Sequence, residues 1–265
     1  MIRIDPDDHI INPSSDRISI QVLEDPVALC AAELSAAVDG GGHVILTGGS
    51  SPVDVYKQCA SRRASEWQGA NIWFTDDRSV GPEDPLSNYR LVMDTLVDPL
   101  AASGVNVAAV HRMCGELGPE AGAVEYREQL ASVFPALADE QLLADSRLNV
   151  SAPALFELAL IGIGSDGHIC SLFPGQPALD ENTVSVVGVD EAGLEPYVPR
   201  ITLTFATLAR AKRALVLVTG EAKADVVSAA FAHDSLPDSH VPASLLAKFV
   251  PRVTVLLDDD AASRL

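Results

Sequence analysis

Residues 158–175 read Leu-Ala-Leu-Ile-Gly-Ile-Gly-Ser-Asp-Gly-His-Ile-Cys-Ser-Leu-Phe-Pro-Gly, an apolar run that breaks into glycines and then offers an acid, a histidine and a serine. That order fits a buried strand ending in a ligand-facing loop. Gly162 and Gly164 let the backbone turn tightly or approach a ligand, while Asp166 and His168 supply a carboxylate and a side chain that titrates near neutrality. Such a set can move protons. A second stretch, His43-Val-Ile-Leu-Thr47 followed by Gly48-Gly49-Ser50-Ser51-Pro52, reads as a strand, a Gly/Ser turn and the N-terminus of a helix starting near Val53. Backbone N–H groups, hydroxyls and the helix dipole at such a turn cradle a phosphate, and Pro52 removes no donor that the helix needs.

Both loops need elements to hold them. Residues 17–23 alternate like a half-exposed strand, and Asp25-Pro26 opens a helix to about Val38 that Gly40-Gly41-Gly42 ends. Further strands are expected at 71–75, near 105–114, at 155–163, 214–219 and 252–257. Helices are expected behind Ser87-Asn88-Tyr89, near 119–134, after 200–204 and from Gly220-Glu221-Ala222-Lys223. The strand at 71–75 ends in Asp76-Asp77-Arg78, a Pro/Gly-bearing loop follows, and the Asp/Pro-rich stretch 180–199 reads as a loop or small flap. Alternating strands and helices argue for an α/β fold, a doubly wound, mainly parallel sheet with helices on both faces and ligands at the C-terminal strand ends. With no internal repeat, low-complexity tract or linker, residues 1–265 read as a single domain.

Eighteen basic against thirty-seven acidic residues give a formal charge of -19, which repels nucleic acid and anionic membranes at long range. A phosphate can still be held locally, because a helix N-terminus and one or two Arg/Lys groups override the net field at contact distance. Cys30, Cys59, Cys114 and Cys170 are widely spaced, which argues against a disulfide framework or structural zinc. His9, His43, His111, His233 and His240 show no ligand spacing, so no metal is expected. Trp67 and Trp73 read as packing residues and Asp258-Asp259-Asp260 as a solvated tail. The first residues lack the features of a signal peptide, and no apolar run reaches membrane-span length. The expectation is a cytoplasmic protein, a monomer or small homo-oligomer, with neither nucleic-acid nor membrane partners.

Five segments stand in a recognisable order: Thr47-Gly-Gly-Ser-Ser-Pro52; Trp73-Phe-Thr-Asp-Asp-Arg78 with Ser87-Asn-Tyr89; Gly162-Ile-Gly-Ser-Asp-Gly-His168 with Ser171-Leu-Phe-Pro-Gly175; Arg200-Ile-Thr-Leu-Thr204; and Thr219-Gly-Glu-Ala-Lys223. Together with Pro242-Ala-Ser-Leu245, over roughly residues 15 to 257, they resemble the 6-phosphogluconolactonases, relatives of the glucosamine-6-phosphate deaminases. The resemblance implies a modified doubly wound, Rossmann-like domain. It also implies hydrolysis of 6-phospho-D-glucono-1,5-lactone to 6-phosphogluconate in the oxidative pentose phosphate pathway, with no cofactor. Deaminases resemble Phe-Asn-Glu-Pro after the Asp-Gly-His; this chain has Ser171-Leu-Phe-Pro-Gly175 and lacks that glutamate. It also departs from the lactonases. Asp77 stands where glutamate is usual, Ser51 where threonine is common and Cys170 where alanine is usual, and the 79–86 loop matches loosely.

Lactone hydrolysis needs water deprotonated as it attacks, a stabilised oxyanion and a proton for the departing ring oxygen. His168 fits the general base, returning its proton to the leaving oxygen. The resemblance makes Asp76 a substrate-facing carboxylate, and Asp166 could orient His168, although an Asp-Gly turn alone accounts for much of its presence. Gly49, Ser50 and Ser51 fit the phosphate cradle, Arg200 and Lys223 match family positions that meet the phosphate, and Arg78 is a third candidate near lactone or phosphate. For any one basic residue the alternative is a surface ion pair. Cys170, beside the proposed base, raises a thiolate nucleophile, against which the family's alanine counts. Two other readings stay open: a glucosamine-6-phosphate deaminase or isomerase, and a non-catalytic phosphosugar-binding homologue.

Overall fold

The structure, a computed structural model, describes residues 10–11, 17–138, 153–233 and 235–265. His9 and the first eight residues lie outside the described residues. The larger sheet has eight strands, β1 (Ile10–Ile11), β2 (Ile18–Val22), β3 (His43–Leu46), β4 (Asn71–Phe74), β6 (Ala109–Val110), β7 (Leu158–Ile161), β10 (Ala214–Val218) and β11 (Val253–Leu257), in the order β1-β2-β11-β10-β7-β3-β4-β6. All pairs are parallel except β1 with β2. Strands covered on both faces need no polar side, and β7 and β10 are accordingly uninterrupted apolar runs, Leu-Ala-Leu-Ile and Ala-Leu-Val-Leu-Val, buried throughout. Nearer the edge, β2 alternates, with Ile18 and Ile20 buried and Ser19 half-buried.

Helix α1 (Pro26–Val38) starts where Asp25 accepts from the Ala28 N–H at 2.9 Å. It buries Cys30, Ala31, Leu34, Ser35 and Val38, a spacing that keeps one face on the core. Leu34 is fully enclosed, a burial worth about 2 kcal/mol. Behind the phosphate turn runs α2 (Val53–Arg62), whose buried Tyr56 donates its hydroxyl to the Thr47 carbonyl at 2.6 Å. Among the described residues no helix is long and apolar enough to cross a membrane.

The order of the strands places the site. From β3 the chain steps outward through β4 to β6, and from β7 it steps the other way through β10 to β11. Neighbouring strands β3 and β7 therefore form a topological switch point, where loops diverge and leave a crevice at the C-terminal edge. The phosphate turn follows β3 and the Asp166/His168 loop follows β7.

A second sheet was not legible in the sequence. Strands β5 (Asp76–Arg78), β8 (Val186–Val189) and β9 (Arg200–Leu203) form an antiparallel sheet in the order β5-β9-β8. Asp76-Asp77-Arg78 is thus a strand of its own in a second sheet rather than the end of the strand at 71–75, and the 180–199 stretch contains β8. Three charged residues carry little strand propensity, and their partner is more than a hundred residues away. The expected strand at 105–114 contracts to Ala109–Val110, and that at 155–163 to Leu158–Ile161. After β9 the helix is a single turn, Phe205–Leu208. Asp258 is no solvated tail residue: both its carboxylate oxygens accept from the Gly220 N–H at 3.0 Å, fixing the turn that leads to Lys223.

Candidate active site

A cavity of about 200 Å³ opens at the switch point. Gly49, Ser50, Ser51, Asp76, Arg78, His168, Arg200 and Lys223 all line it, from five separate segments of the chain. Asp166 stands behind the wall, bonded to His168.

His168 Nδ1 lies 2.5 Å from Asp166 Oδ1, and the same oxygen accepts from the His168 backbone N–H at 3.2 Å. Burial alone would raise Asp166, but the hydrogen bonds and charge of His168 outweigh it and hold the carboxyl below its usual range. An ionised carboxylate only accepts, so Nδ1 carries a proton, and in the neutral ring the lone pair is then on Nε2. The ring rests on Phe173, 4.6 Å between centroids. Gly164 makes this pair possible, because a Cβ there would sit 2.1 Å from His168 Nδ1 and 2.6 Å from Asp166 Oδ1. Gly164→Ala is expected to displace the imidazole and lower kcat by about tenfold or more. Retained affinity for inorganic phosphate, measured by calorimetry, with an unchanged melting temperature would assign the loss to His168 rather than to unfolding.

The carboxylate of Asp76 is buried and held on both sides: Thr75 Oγ1 donates to Oδ1 at 2.8 Å and Ser171 Oγ to Oδ2 at 2.7 Å. Ser171 is brought there by a chain reversal at Cys170, whose φ of 53° is left-handed. Burial, with the Asp76 charge adding to it, pushes the Cys170 thiol well above its ordinary value, so it stays protonated near neutrality and makes a poor nucleophile.

Side chains alternate along a strand, so while Asp76 and Arg78 line the cavity, Asp77 points away from it. There its carboxylate accepts from the N–H groups of Arg78 (2.7 Å), Asn88 (2.6 Å) and Tyr89 (3.0 Å) and from Ser87 Oγ (3.2 Å), at the first turn of α3 (Asn88–Val92). Burial raises Asp77 from 3.8 to about 6, against the pull of those N–H groups. An acid raised by folding binds its proton more tightly when native, so its contribution declines as pH rises from about 4 to about 6 and is level above. Urea unfolding of wild type and Asp77→Asn from pH 4 to 7 should show the wild-type advantage shrinking by roughly 3 kcal/mol over that window. Parallel curves would refute it.

Each basic group keeps donors free for a ligand. Arg200, 4 % exposed, gives Nε to the Val198 carbonyl (3.0 Å) and Nη2 to that of Pro196 (2.6 Å), leaving Nη1. Arg78 gives Nη1 to the Leu86 carbonyl at 2.6 Å, and its buried Nε has no partner among the described residues. Lys223 gives one of its three N–H donors to the Ile163 carbonyl at 2.8 Å. Burial pulls both Arg200 and Lys223 below their usual ranges, against attraction from Asp76 and Asp166 respectively. Like charges meet on the small sheet, where Arg78 and Arg200 are register partners.

The model of the glucosamine-6-phosphate isomerases/6-phosphogluconolactonase family matches residues 16–255. The chain belongs to this family. Among members of the glucosamine-6-phosphate isomerase/6-phosphogluconolactonase family, the 6-phosphogluconolactonase of Haemophilus influenzae is 33% identical over 188 residues, covering 70% of this chain and 71% of the relative. That of Mycobacterium tuberculosis is 32% identical over 259 residues, 93% and 98% of the two chains. The solved 6-phosphogluconolactonase of Trypanosoma brucei is 27% identical with a TM-score of 0.68, covering 93% and 98%.

Several residues that shape this family member's site carried no assigned role in the sequence reading. Asp77 was marked only as a departure, and Asn88 and Ser171 only as parts of motifs; Tyr56 and Asp258 gave no signal for the bonds they make. Leu194 and Glu195 bring the 190–199 segment onto the cavity, and an irregular stretch offers no pattern from which that could be read. His43 and His111 belong to packing instead. Trp73 donates Nε1 to His43 Nδ1 at 3.1 Å and stacks on His111 at 3.7 Å, and burial pushes His111 down to about 4.

Proposed function

We propose that this chain hydrolyses 6-phospho-D-glucono-1,5-lactone to 6-phosphogluconate, a step of the oxidative pentose phosphate pathway, with His168 as general base. The observation that carries the reading is the 2.5 Å His168–Asp166 contact on the cavity that Arg78, Arg200 and Lys223 also line. Family membership and relatives named for the same lactone support it.

In this mechanism the phosphoryl group sits in the Gly49-Ser50-Ser51 turn, held by backbone N–H groups, hydroxyls and the free donors of Arg200 and Lys223. Arg78 adds charge near the ring. Asp76, already accepting two hydroxyls, orients sugar hydroxyls through its remaining lone pairs. His168 Nε2 takes a proton from water as the oxygen adds to the lactone carbonyl, and Asp166 stabilises the imidazolium that forms. Collapse of the tetrahedral intermediate breaks the bond to the ring oxygen, which takes the proton back from Nε2. The product is a free carboxylic acid that ionises in water.

The test is hydrolysis of freshly prepared lactone with the spontaneous rate subtracted, and glucosamine 6-phosphate run in parallel for ammonia. Acceleration without ammonia supports the lactonase; ammonia release, or no acceleration by folded protein, overturns it.

A further inference from the structure

We propose that Asn88 is a positioning residue that sets the separation between the phosphate turn and the Asp76 strand, as a spacer held between Gly48 and the Asp76 backbone. The proposal rests on the lactonase reading for its turnover arm only. Asn88 is 2 % exposed at the cavity wall. On one side its Nδ2 donates to the Asp76 carbonyl at 2.9 Å. On the other, the amide lies against Gly48, where a Cβ would come within 1.8 Å of Oδ1 and 2.6 Å of Nδ2. The amide thus touches both the turn after β3 and the start of β5.

What keeps the spacer in place is Asp77. Its carboxylate takes the Asn88 backbone N–H at 2.6 Å together with donors from Ser87 and Tyr89, so the first turn of α3 moves with β5. An apolar spacer could fill the same gap, but it would leave the Asp76 carbonyl without this donor. Asn88 Oδ1 is buried with no partner among the described residues, an acceptor that a purely structural amide would be expected to satisfy. Function explains the arrangement better than stability does. A phosphosugar lactone can span only a limited range of distances between its phosphorus and its lactone carbon, so the separation of the phosphate turn and the acid strand selects which bound conformations place the carbonyl for attack. A misplacement of about 1 Å can slow a reaction by about a hundredfold.

The experiment is a double-mutant cycle of Asn88→Ala and Gly48→Ala. Its readouts are calorimetric affinity for 6-phosphogluconate and inorganic phosphate, lactone turnover, and thermal melting. Asn88→Ala should weaken 6-phosphogluconate by about fivefold or more and lower kcat by about tenfold to a hundredfold. Gly48→Ala should do the same by pushing on the amide. The double variant should be no worse than Asn88→Ala alone, because the added methyl enters the vacated space. Strictly additive losses, or unchanged 6-phosphogluconate affinity in Asn88→Ala, would overturn the proposal. Should Asn88→Ala not fold, Asn88→Ser takes its place in the cycle with the same expectations. Wild type that binds 6-phosphogluconate but does not hydrolyse the lactone would remove the functional reading, while the affinity cycle still decides this one. Wild type that binds neither probe would overturn both.

Discussion

Alanine in place of His168 is expected to lower kcat for the lactone by about 10² to 10⁴, the range for loss of a positioned general base, while 6-phosphogluconate affinity changes by less than about threefold. The separation follows from where the residue stands. His168 is tied to Asp166 and rests on Phe173, and neither contact involves the arginines, Lys223 or the phosphate turn. Removing the ring therefore removes proton transfer and leaves the anion site intact. Steady-state kinetics with background subtraction, alongside calorimetry, checks both halves. Turnover close to wild type would take His168 out of the mechanism; a parallel collapse of affinity would make it a binding residue.

Arg200→Ala should fail in the opposite way. A buried charge-assisted contact to phosphate carries several kcal/mol, so the expected result is a rise in KM of about a hundredfold with a smaller fall in kcat. Arg200→Lys should recover little of this, since an ammonium cannot reproduce the fork that binds the Pro196 and Val198 carbonyls while presenting Nη1 to the cavity. A variant with unchanged KM would mean that the phosphate is held by Lys223 and the turn without Arg200.

Much of this was legible in the sequence because the relevant signals are local. The buried strands announce themselves as apolar runs, Asp25-Pro26 marks the start of α1, and the glycine-bearing turns that carry the site follow strands β3 and β7. Most of the charged and hydroxyl-bearing cavity residues were legible because they sit in short motifs, whereas Leu194 and Glu195, from an irregular stretch, were not. What escaped depends on distant partners. Strand β5 is stabilised by β9, and the three charged residues that compose it say nothing of that pairing. Asp77 becomes an anchor only because Ser87, Asn88 and Tyr89 return to it, and Asp258 caps Gly220 across 38 positions. Asn88 has a neighbour in Gly48 only once the fold exists.

Arg78 and Arg200 face each other on adjacent strands. Like charges placed directly opposite weaken a strand pair. A sheet selected for robustness alone would put a carboxylate or an apolar side chain at one of the two positions. Here the fold is frustrated on the wall of the cavity, and a bound phosphate would add counter-charge beyond what Asp76 and Asp77 supply to Arg200. A phosphorylated ligand bound there would make the melting temperature depend on its concentration, and not on the sequence alone.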